Sequence, residues 1–252
     1  MTMRIKLVVA FGLARVMLHL LAGLFTSACV FPFLDLPGRS RCIQRWSAGL
    51  LAICGIDVQI VPAGAHFPAR ALVVANHVSW LDIFVINVLQ PCRFVAKADI
   101  RGWPLLGWLC AKAGTIFIAR GKLREVRKIF EYVVATIRNG ELVAFFPEGT
   151  TAAQGALLPF HSNLFEAAID AAVPIQPVAL RYVDAAGQLA PQADFIGDTT
   201  FFDSLITILS SDKLTAQLIV LPLIDSVDAE RRALAAQAQV AIDVALGYRP
   251  GA

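Results

Sequence analysis

The sequence predicts an α/β fold, in which a mixed, largely parallel sheet is flanked by helices and preceded by an N-terminal helical membrane anchor. From residue 58 onward, short runs rich in Val, Ile and Phe alternate with amphipathic stretches. Runs that are apolar throughout are typical of strands buried on both faces of a parallel sheet. Strands that alternate with helices in this way build sheets with helices packed on their faces. Before residue 58 apolar segments dominate the chain, and these predict the anchor.

The N-terminal segment is unusually apolar. The 252-residue chain is 57% hydrophobic and only 16% charged, whereas an ordinary soluble domain is about one quarter charged. As a helix, residues 16–34 would extend roughly 28 Å at about 1.5 Å per residue, close to the hydrocarbon thickness of a bilayer. This segment could span the membrane, or form a hairpin with residues 41–56 that enters one leaflet. We therefore interpret residues 1–56 as membrane-anchoring helices and residues 57–252 as the domain that carries the chemistry.

Charge and cysteine usage argue against several other classes of protein. The net charge is only +3, so the chain lacks the strongly basic character typical of nucleic-acid-binding proteins. The five cysteines are scattered without CxxC spacing, which favours buried thiols in a reducing compartment over a disulfide framework. The four histidines show no HExxH or H-x-H spacing, so no metal site is predicted.

Seven short apolar runs are predicted as the strands of the sheet. They lie at residues 57–61, 71–75, 93–96, 115–119, 142–146, 175–180 and 216–223. Their length and their content of β-branched and aromatic residues are typical of strands. Residues 184–200 form the longest predicted loop.

Three amphipathic stretches are predicted as helices of the domain. Residues 122–139 carry an apolar stripe opposite Lys, Arg and Glu, as expected of a surface helix packed on a sheet. Residues 160–172 are predicted as a second helix. A third is predicted at residues 228–246, with Ser226 as its cap and Gly247 as its terminator.

Polar side chains follow four of the predicted strands, at the point where each strand ends. Asn76 and His77 follow the second run, Lys97 the third and Arg120 the fourth, and Glu148 comes shortly after the fifth. Ligands of open α/β sheets bind beyond the carboxyl ends of the strands. If these strands are parallel neighbours, the four charged or titratable side chains converge on one rim.

His77 and Asp82 lie five residues apart at this rim. A histidine just before a helix and an aspartate in its first turn can meet, with Ser79 as the predicted helix cap. A carboxylate bonded to one ring nitrogen stabilises the imidazolium and makes the other nitrogen a competent general base. Because the chain contains no G-x-S-x-G nucleophile motif, we expect the histidine to activate a substrate hydroxyl.

The other three rim residues have both functional and ordinary structural interpretations. The guanidinium fork of Arg120 matches phosphate geometry, although the residue could simply begin a helix. Glu148 stands between a proline and a glycine, where it could bind hydroxyls, steady a cation or be an ordinary loop acid. Lys97 has the least specific setting of the three.

Four blocks of the sequence resemble those of the 1-acyl-glycerol-3-phosphate acyltransferases, within the glycerolipid acyltransferase superfamily and its bacterial lysophospholipid acyltransferase branch. The segment NHVSWLD resembles the NHxSxxD block of this family, and GTIFIAR resembles GxxFIxR. The segments FPEGT and VPIQPVAL resemble the FPEGT[RS] and VPIxPVxI blocks. These segments occupy residues 76–82, 114–120, 146–150 and 173–180. Their order and spacing also agree, and the resemblance covers about residues 46–225.

The resemblance implies a glycerol-3-phosphate acyltransferase-like fold and a direct acyl transfer. His77, oriented by Asp82, would remove the proton from the free hydroxyl of a lysophospholipid acceptor. The oxygen would then attack the thioester of acyl-CoA or acyl-carrier protein, giving phosphatidic acid without an acyl-enzyme, a cofactor or a metal. Arg120 would hold the acceptor phosphate, and Glu148 and Gly149 would help to seat its glycerol portion.

The same blocks imply two further substrate-binding residues, Asn76 and Thr150. Lys97 is a third, in residues 94–109, which are similar to the stretch that family members carry between the first two blocks. The family often carries Arg after FPEGT, whereas Thr151 follows here. An acceptor without phosphate, as in lyso-ornithine lipid O-acylation, is therefore an alternative, and a membrane-anchored binding protein with a dead site is another. The resemblance implies a bacterial inner (cytoplasmic) membrane location, with the catalytic domain on the cytoplasmic face and a membrane lipid as the acceptor.

Overall fold

The computed structural model describes residues 3–103, 105–118 and 123–248. Its strands are β1 (Ile56–Val61), β2 (Leu72–Ala75), β3 (Arg93–Lys97), β4 (Ile116–Ile118), β5 (Val143–Phe145), β6 (Ile175–Val183) and β7 (Leu214–Val220). They form one sheet in the order β1-β7-β6-β2-β5-β3-β4. The β6–β7 pair is antiparallel, and the other pairs are parallel. The mixed, largely parallel sheet expected from the sequence is thus confirmed.

Helices cover both faces of this sheet. They are α1 (Met3–Phe25), α2 (Leu36–Ile53), α3 (Asp82–Leu89), α4 (Leu106–Lys112), α5 (Leu123–Arg138), α6 (Glu166–Ala171), α7 (Phe201–Ser210) and α8 (Arg231–Leu246). Successive side chains of a strand point to opposite faces, and β2 shows the result. Val73 and Ala75 pack in a core with α1, α2, α3 and α7. Leu72 and Val74 pack in a second core with α5, α6 and α8. β2, which leads directly to His77, is therefore fixed from both sides.

The N-terminal helices α1 and α2 form a hairpin that packs on the domain. Trp46 of α2 stacks on His19 of α1 with ring centroids 4.8 Å apart, and its indole N–H donates to the His19 carbonyl. Gln44 of α2 donates to the Val88 carbonyl of α3 at 2.8 Å. On α1, Phe11 and Leu18 are each 67% exposed. Residues 6–33 form one helical segment long and apolar enough to cross a membrane. The packed pair of α1 and α2 corresponds to the hairpin alternative, although α1 begins at residue 3 and the predicted segment begins at residue 16.

Three predicted strand boundaries shift by two residues or more in the structure. β6 continues three residues beyond its predicted end because it pairs along its length with β7. β7 itself begins two residues earlier and ends three residues earlier than predicted. Pairing along a sheet is non-local, so hydrophobic runs alone locate strands better than they locate strand ends.

Several helix details also differ from the prediction. The helix expected at residues 160–172 is a short 3-10 turn followed by α6. Ser226 is not the cap of α8, which begins after Glu230. The buried Ser226 hydroxyl donates instead to the Val173 carbonyl at 2.8 Å. Gly247 ends α8 in the left-handed conformation, as predicted. Helices α4 and α7 were not predicted. Their segments are dominated by apolar residues or lie between loop signals, so hydrophobic periodicity did not identify them as helices.

Candidate active site

The carboxyl ends of four neighbouring strands form the rim on which the polar side chains were expected to meet. In the sheet, β2, β5, β3 and β4 are consecutive and mutually parallel. His77 follows β2, and Glu148 follows β5 directly beside it. Lys97 ends β3 with an exposed side chain. Arg120 lies outside the described residues, so its expected place at the end of β4 stays a prediction.

His77 and Asp82 form the predicted contact. Nδ1 of His77 lies 2.8 Å from Oδ2 of Asp82, and the imidazole stacks on Phe146 with centroids 3.9 Å apart and planes 8° apart. The His77 side chain is 18% exposed, whereas that of Asp82 is fully buried. Nε2 has no hydrogen-bonding partner among the described residues. The ring is therefore held in place, and Nε2 is available to accept a proton from a bound hydroxyl.

The Asp82 carboxylate is fixed by four donors. Besides the imidazole, Oδ2 accepts from the backbone N–H groups of Val78 and Ser79, at 2.7 and 2.9 Å. Oδ1 accepts from the Tyr182 hydroxyl at 2.6 Å. Such bonds favour the ionised form of a buried carboxylate, which would otherwise be costly to bury.

Ser79 is not the helix cap that the sequence predicted. Leu81 occupies the N-cap position of α3, and the Ser79 hydroxyl is buried with no partner among the described residues. The reason is that α3 begins only at Asp82, three residues after Ser79. The Asp82 carboxylate accepts from the N–H groups of Val78 and Ser79, which precede the helix.

Glu148 is buried and joins two loops. Its Oε1 accepts from the His77 backbone N–H at 2.8 Å, and its Oε2 accepts from the Leu158 N–H at 2.9 Å. Burial raises the pKa of Glu148, and these two N–H groups oppose part of that shift. The carboxylate thus holds the backbone of His77 in place. The expected contact of Glu148 with the glycerol portion of an acceptor stays a prediction.

Asn76 is also committed to the protein backbone. It is buried, and its amide donates to the Leu180 carbonyl at 2.9 Å and accepts from the Leu180 N–H at 2.7 Å. The side chain thereby continues the β2–β6 pairing in place of a backbone group, while the chain turns away toward His77. A substrate contact by Asn76 stays a prediction, and both of its polar atoms already have partners.

Gly149 and Thr150 lie at the exposed end of the loop after β5. Gly149 has φ +70°, a conformation that side chains rarely adopt, and a Cβ there would lie 3.3 Å from the His161 ring. The glycine is therefore required by the turn. The expected substrate contacts of Gly149 and Thr150 stay predictions.

Thr151 is bonded to the long loop of residues 184–200. Its hydroxyl donates to the Phe195 carbonyl, and the Phe195 N–H donates to the Val78 carbonyl at 3.0 Å. Gln154 donates to Asp194 at 3.2 Å, and burial raises the pKa of Asp194. The loop is thus fastened to the segments that carry His77 and Glu148, and it forms part of the surroundings of the site.

Tyr182 is the site residue that the sequence reasoning missed. It lies on β6, a hundred positions from Asp82, and is fully buried. The one available signal was a tyrosine within a strand that is otherwise mostly apolar, since a buried phenol needs a hydrogen-bond partner. No group of His, Cys, Asp and Glu side chains within the described ranges is placed to hold a metal ion.

Comparisons with known proteins agree in family and fold. A family model described as Acyltransferase matches residues 59–181. A 1-acyl-sn-glycerol-3-phosphate acyltransferase of Neisseria meningitidis is 37% identical over 194 residues, covering 77% of this chain and 76% of the relative. A lyso-ornithine lipid O-acyltransferase of Pseudomonas aeruginosa is 39% identical over 210 residues, covering 83% and 80%. The crystal structure of the 1-acyl-sn-glycerophosphate acyltransferase PlsC from Thermotoga maritima aligns with a TM-score of 0.69 over 99% of this chain and 98% of that chain. At 20% identity, this last similarity shows the fold.

Proposed function

The chain belongs to the acyltransferase family that includes the 1-acyl-sn-glycerol-3-phosphate acyltransferases, and on that premise we propose that it converts 1-acyl-sn-glycerol-3-phosphate into phosphatidic acid. It is an enzyme, an acyltransferase of the lysophospholipid type. The acyl donor in this proposal is the thioester of acyl-CoA or acyl-carrier protein. The observation that carries the proposal is the oriented His77, whose Nδ1 is bonded to Asp82 and whose Nε2 has no partner within the described part of the chain.

The proposed reaction is a direct transfer with His77 as general base. Nε2 takes the proton of the acceptor hydroxyl while the oxygen forms a bond to the thioester carbonyl carbon. The tetrahedral oxyanion then collapses, the carbon–sulfur bond breaks, and the leaving thiolate takes the proton from the imidazolium. Asp82 stabilises the imidazolium between these two steps, and the histidine ends in its starting state.

The remaining site residues are assigned to positioning and to acceptor binding. Glu148 holds the backbone N–H of His77, and Asn76, the residue before it, is tied to the Leu180 backbone of β6. We assign Arg120 to the acceptor phosphate because its planar fork matches phosphate geometry, with Lys97 at the same rim as a further cation. Gly149 and Thr150, at the exposed end of the adjoining loop, are placed to seat the glycerol portion.

Lyso-ornithine lipid is a second candidate acceptor, and Thr151 is the residue that favours it. Where the family often carries Arg, this chain has a threonine whose hydroxyl is already bonded to Phe195. A relative named lyso-ornithine lipid O-acyltransferase is 39% identical. The chemistry of transfer is the same for both acceptors, so the head group alone distinguishes them.

Both the relatives and the fold support an association of the protein with a membrane. The bacterial relatives act on lipids by name, and α1 exposes large apolar side chains. We propose that residues 1–56 anchor the protein to the bacterial inner membrane and that residues 57–252 are the catalytic domain on its cytoplasmic face. A lysolipid acceptor that stays in the bilayer could then reach the rim without crossing water.

The test of the proposed function is thiol release from acyl-CoA by the purified chain in detergent. Lysophosphatidate and lyso-ornithine lipid are supplied side by side, and the products are identified by mass spectrometry. Formation of phosphatidic acid supports the proposal. Turnover with lyso-ornithine lipid alone replaces it by the second candidate. If no thiol is released with either acceptor, and the same holds with acyl-carrier protein as donor, both candidate functions are contradicted. That result favours a binding protein without turnover.

A further inference from the structure

The Tyr182 phenol lies against the Asp82 oxygen that faces away from the histidine. The hydroxyl is 2.6 Å from Oδ1 of Asp82, and both residues are fully buried. Asp82 is at the first turn of α3, whereas Tyr182 is near the end of β6. Two separate elements of the fold therefore meet at the carboxylate that orients His77.

We propose that Tyr182 is a positioning residue for the His77–Asp82 pair, a role that rests on the proposed function of His77 as base. Its hydroxyl holds the carboxylate in one orientation and draws charge from it. Tyr182 thereby sets both the direction of the imidazole and the strength with which it binds a proton. Tyr182 acts through Asp82 and does not itself touch the acceptor or the donor.

The arrangement of donors around Asp82 explains why the phenol is needed. Oδ2 is shared by His77 and the N–H groups of Val78 and Ser79. Oδ1 receives only the Tyr182 hydroxyl among the described residues. A buried carboxylate oxygen without a donor is costly, so the phenol supports an Asp82 that is both buried and ionised. The phenol stays protonated because burial, and then the charge of Asp82, raise the pKa of Tyr182 well above its ordinary value.

The backbone of Tyr182 is held in place by two loops. Its N–H donates to Oε1 of Gln154 at 2.6 Å, and its carbonyl accepts from the Ala190 N–H at 2.9 Å. Gln154 lies in the loop after β5, and Ala190 lies in the loop after β6. The phenol thus has a defined approach to Asp82, which a positioning role requires.

Removing the phenol has an effect of predictable sign on the pH dependence. Without this donor, less of the Asp82 charge is drawn toward Oδ1, and more of it stays on Oδ2, which faces the imidazole. Asp82 then stabilises the imidazolium more strongly. His77 then binds its proton more tightly, so the acidic limb of kcat/KM moves to higher pH. The other titratable groups near the pair are Glu148, whose carboxylate accepts from the His77 N–H, and Asp194, whose pKa is raised by burial and also by the charge of Asp82. Neither is altered by a change at Tyr182.

The experiment compares Tyr182→Phe with the wild-type chain in acceptor-dependent thiol release across pH. We expect kcat to fall about tenfold, as for the loss of one hydrogen bond to a charged group. KM for the acceptor should be unchanged, and the acidic limb should move to higher pH. Tyr132→Phe is the matched control. Tyr132 lies on α5, is exposed, and its hydroxyl accepts from Arg93 of β3. This control should match the wild type in all three quantities.

A second variant tests the same idea without removing the phenol. The sequence contains three tyrosines. In a chain with Tyr132→Phe and Tyr248→Phe, Tyr182 is the one that remains, and 3-fluorotyrosine is incorporated at that position. Its more acidic phenol is a stronger donor to Asp82, so the acidic limb should move to lower pH. This variant decides the matter if Tyr182→Phe does not fold.

Two outcomes would overturn the inference. One is an active Tyr182→Phe variant whose pH profile matches the wild type, and the other is a fluorotyrosine chain whose acidic limb does not move. The role of His77 is tested separately by His77→Gln. If that variant is inactive while the limb stays fixed in the Tyr182 variants, only the role of Tyr182 is refuted. If His77→Gln keeps full activity, the proposed function itself fails.

Discussion

Replacing Glu148 with glutamine separates a structural role of this residue from a direct contact with the acceptor. In the structure each carboxylate oxygen accepts one backbone N–H, from His77 and from Leu158. Glutamine keeps one oxygen and exchanges the other for an NH2 group, so one of the two N–H groups then faces a donor. Glu148→Gln should therefore loosen the backbone of His77 without changing the volume of the side chain.

The size of the effect follows from the hydrogen bonds lost. One bond to a charged group is worth about 1.5–3 kcal/mol. The neutral amide avoids the cost of burial that raises the pKa of Glu148, and this offsets part of the loss. We expect the free energy of unfolding to fall by about 2 kcal/mol. For a chain of this size, that corresponds to a drop in Tm of roughly 4–8 °C.

The assay combines thermal unfolding in detergent, followed by tryptophan fluorescence, with the kinetics of thiol release. A role in holding His77 predicts a lower Tm together with a lower kcat and an unchanged KM for the acceptor. Glu131→Gln is the matched control. Glu131 is exposed and pairs with Arg127 on the surface, where such pairs contribute about 0–1 kcal/mol. An unchanged Tm with a higher KM would refute the reasoning and identify Glu148 as an acceptor ligand.

Three further substitutions test other parts of the account. Asn76→Ala should lower the free energy of unfolding by about 2–4 kcal/mol, because it leaves the N–H and carbonyl of Leu180 unpaired in the core; an unchanged denaturation midpoint would contradict this. Arg120→Ala should raise KM for lysophosphatidate by about tenfold with little change in kcat. An unaltered KM would rule out the phosphate contact. Replacing the exposed Phe11 and Leu18 with lysine should weaken flotation with zwitterionic vesicles at least about tenfold while activity in detergent persists. Undiminished flotation would place the membrane contact elsewhere.

Features that depend on local sequence could be predicted well. The alternation of strands and helices follows from hydrophobic periodicity, which needs only neighbouring residues. The contact of His77 with Asp82 could also be anticipated, because five residues at a strand–helix junction bring the two side chains together. The position of Glu148 beside His77 required one more assumption, that the strands preceding them are parallel neighbours, and the β2–β5 pairing confirms it.

Features that depend on distant pairing could not be predicted. The antiparallel β6–β7 pair sets the length of both strands, and no residue within either strand signals that partner. Tyr182 meets Asp82 across a hundred positions of sequence, so only the sheet order reveals the contact. Ser226 matched the pattern of a helix cap, but its hydroxyl is used by the Val173 carbonyl, which belongs to a different segment. Short polar side chains are ambiguous in this way because caps and tertiary contacts use the same atoms.

The central claim is that His77 is the base of an acyl transfer, and acceptor-dependent thiol release by His77→Gln tests it most directly. Wild type and variant are compared with the same acyl-CoA and lysolipid, with equal Tm as proof of folding and His66→Gln, at an exposed position, as the matched control. General base catalysis contributes about 100- to 10,000-fold, so the account predicts a loss of that size in kcat for His77→Gln and none for the control. A folded His77→Gln chain that keeps kcat within about threefold of the wild type, far less than a general base supplies, would contradict the account.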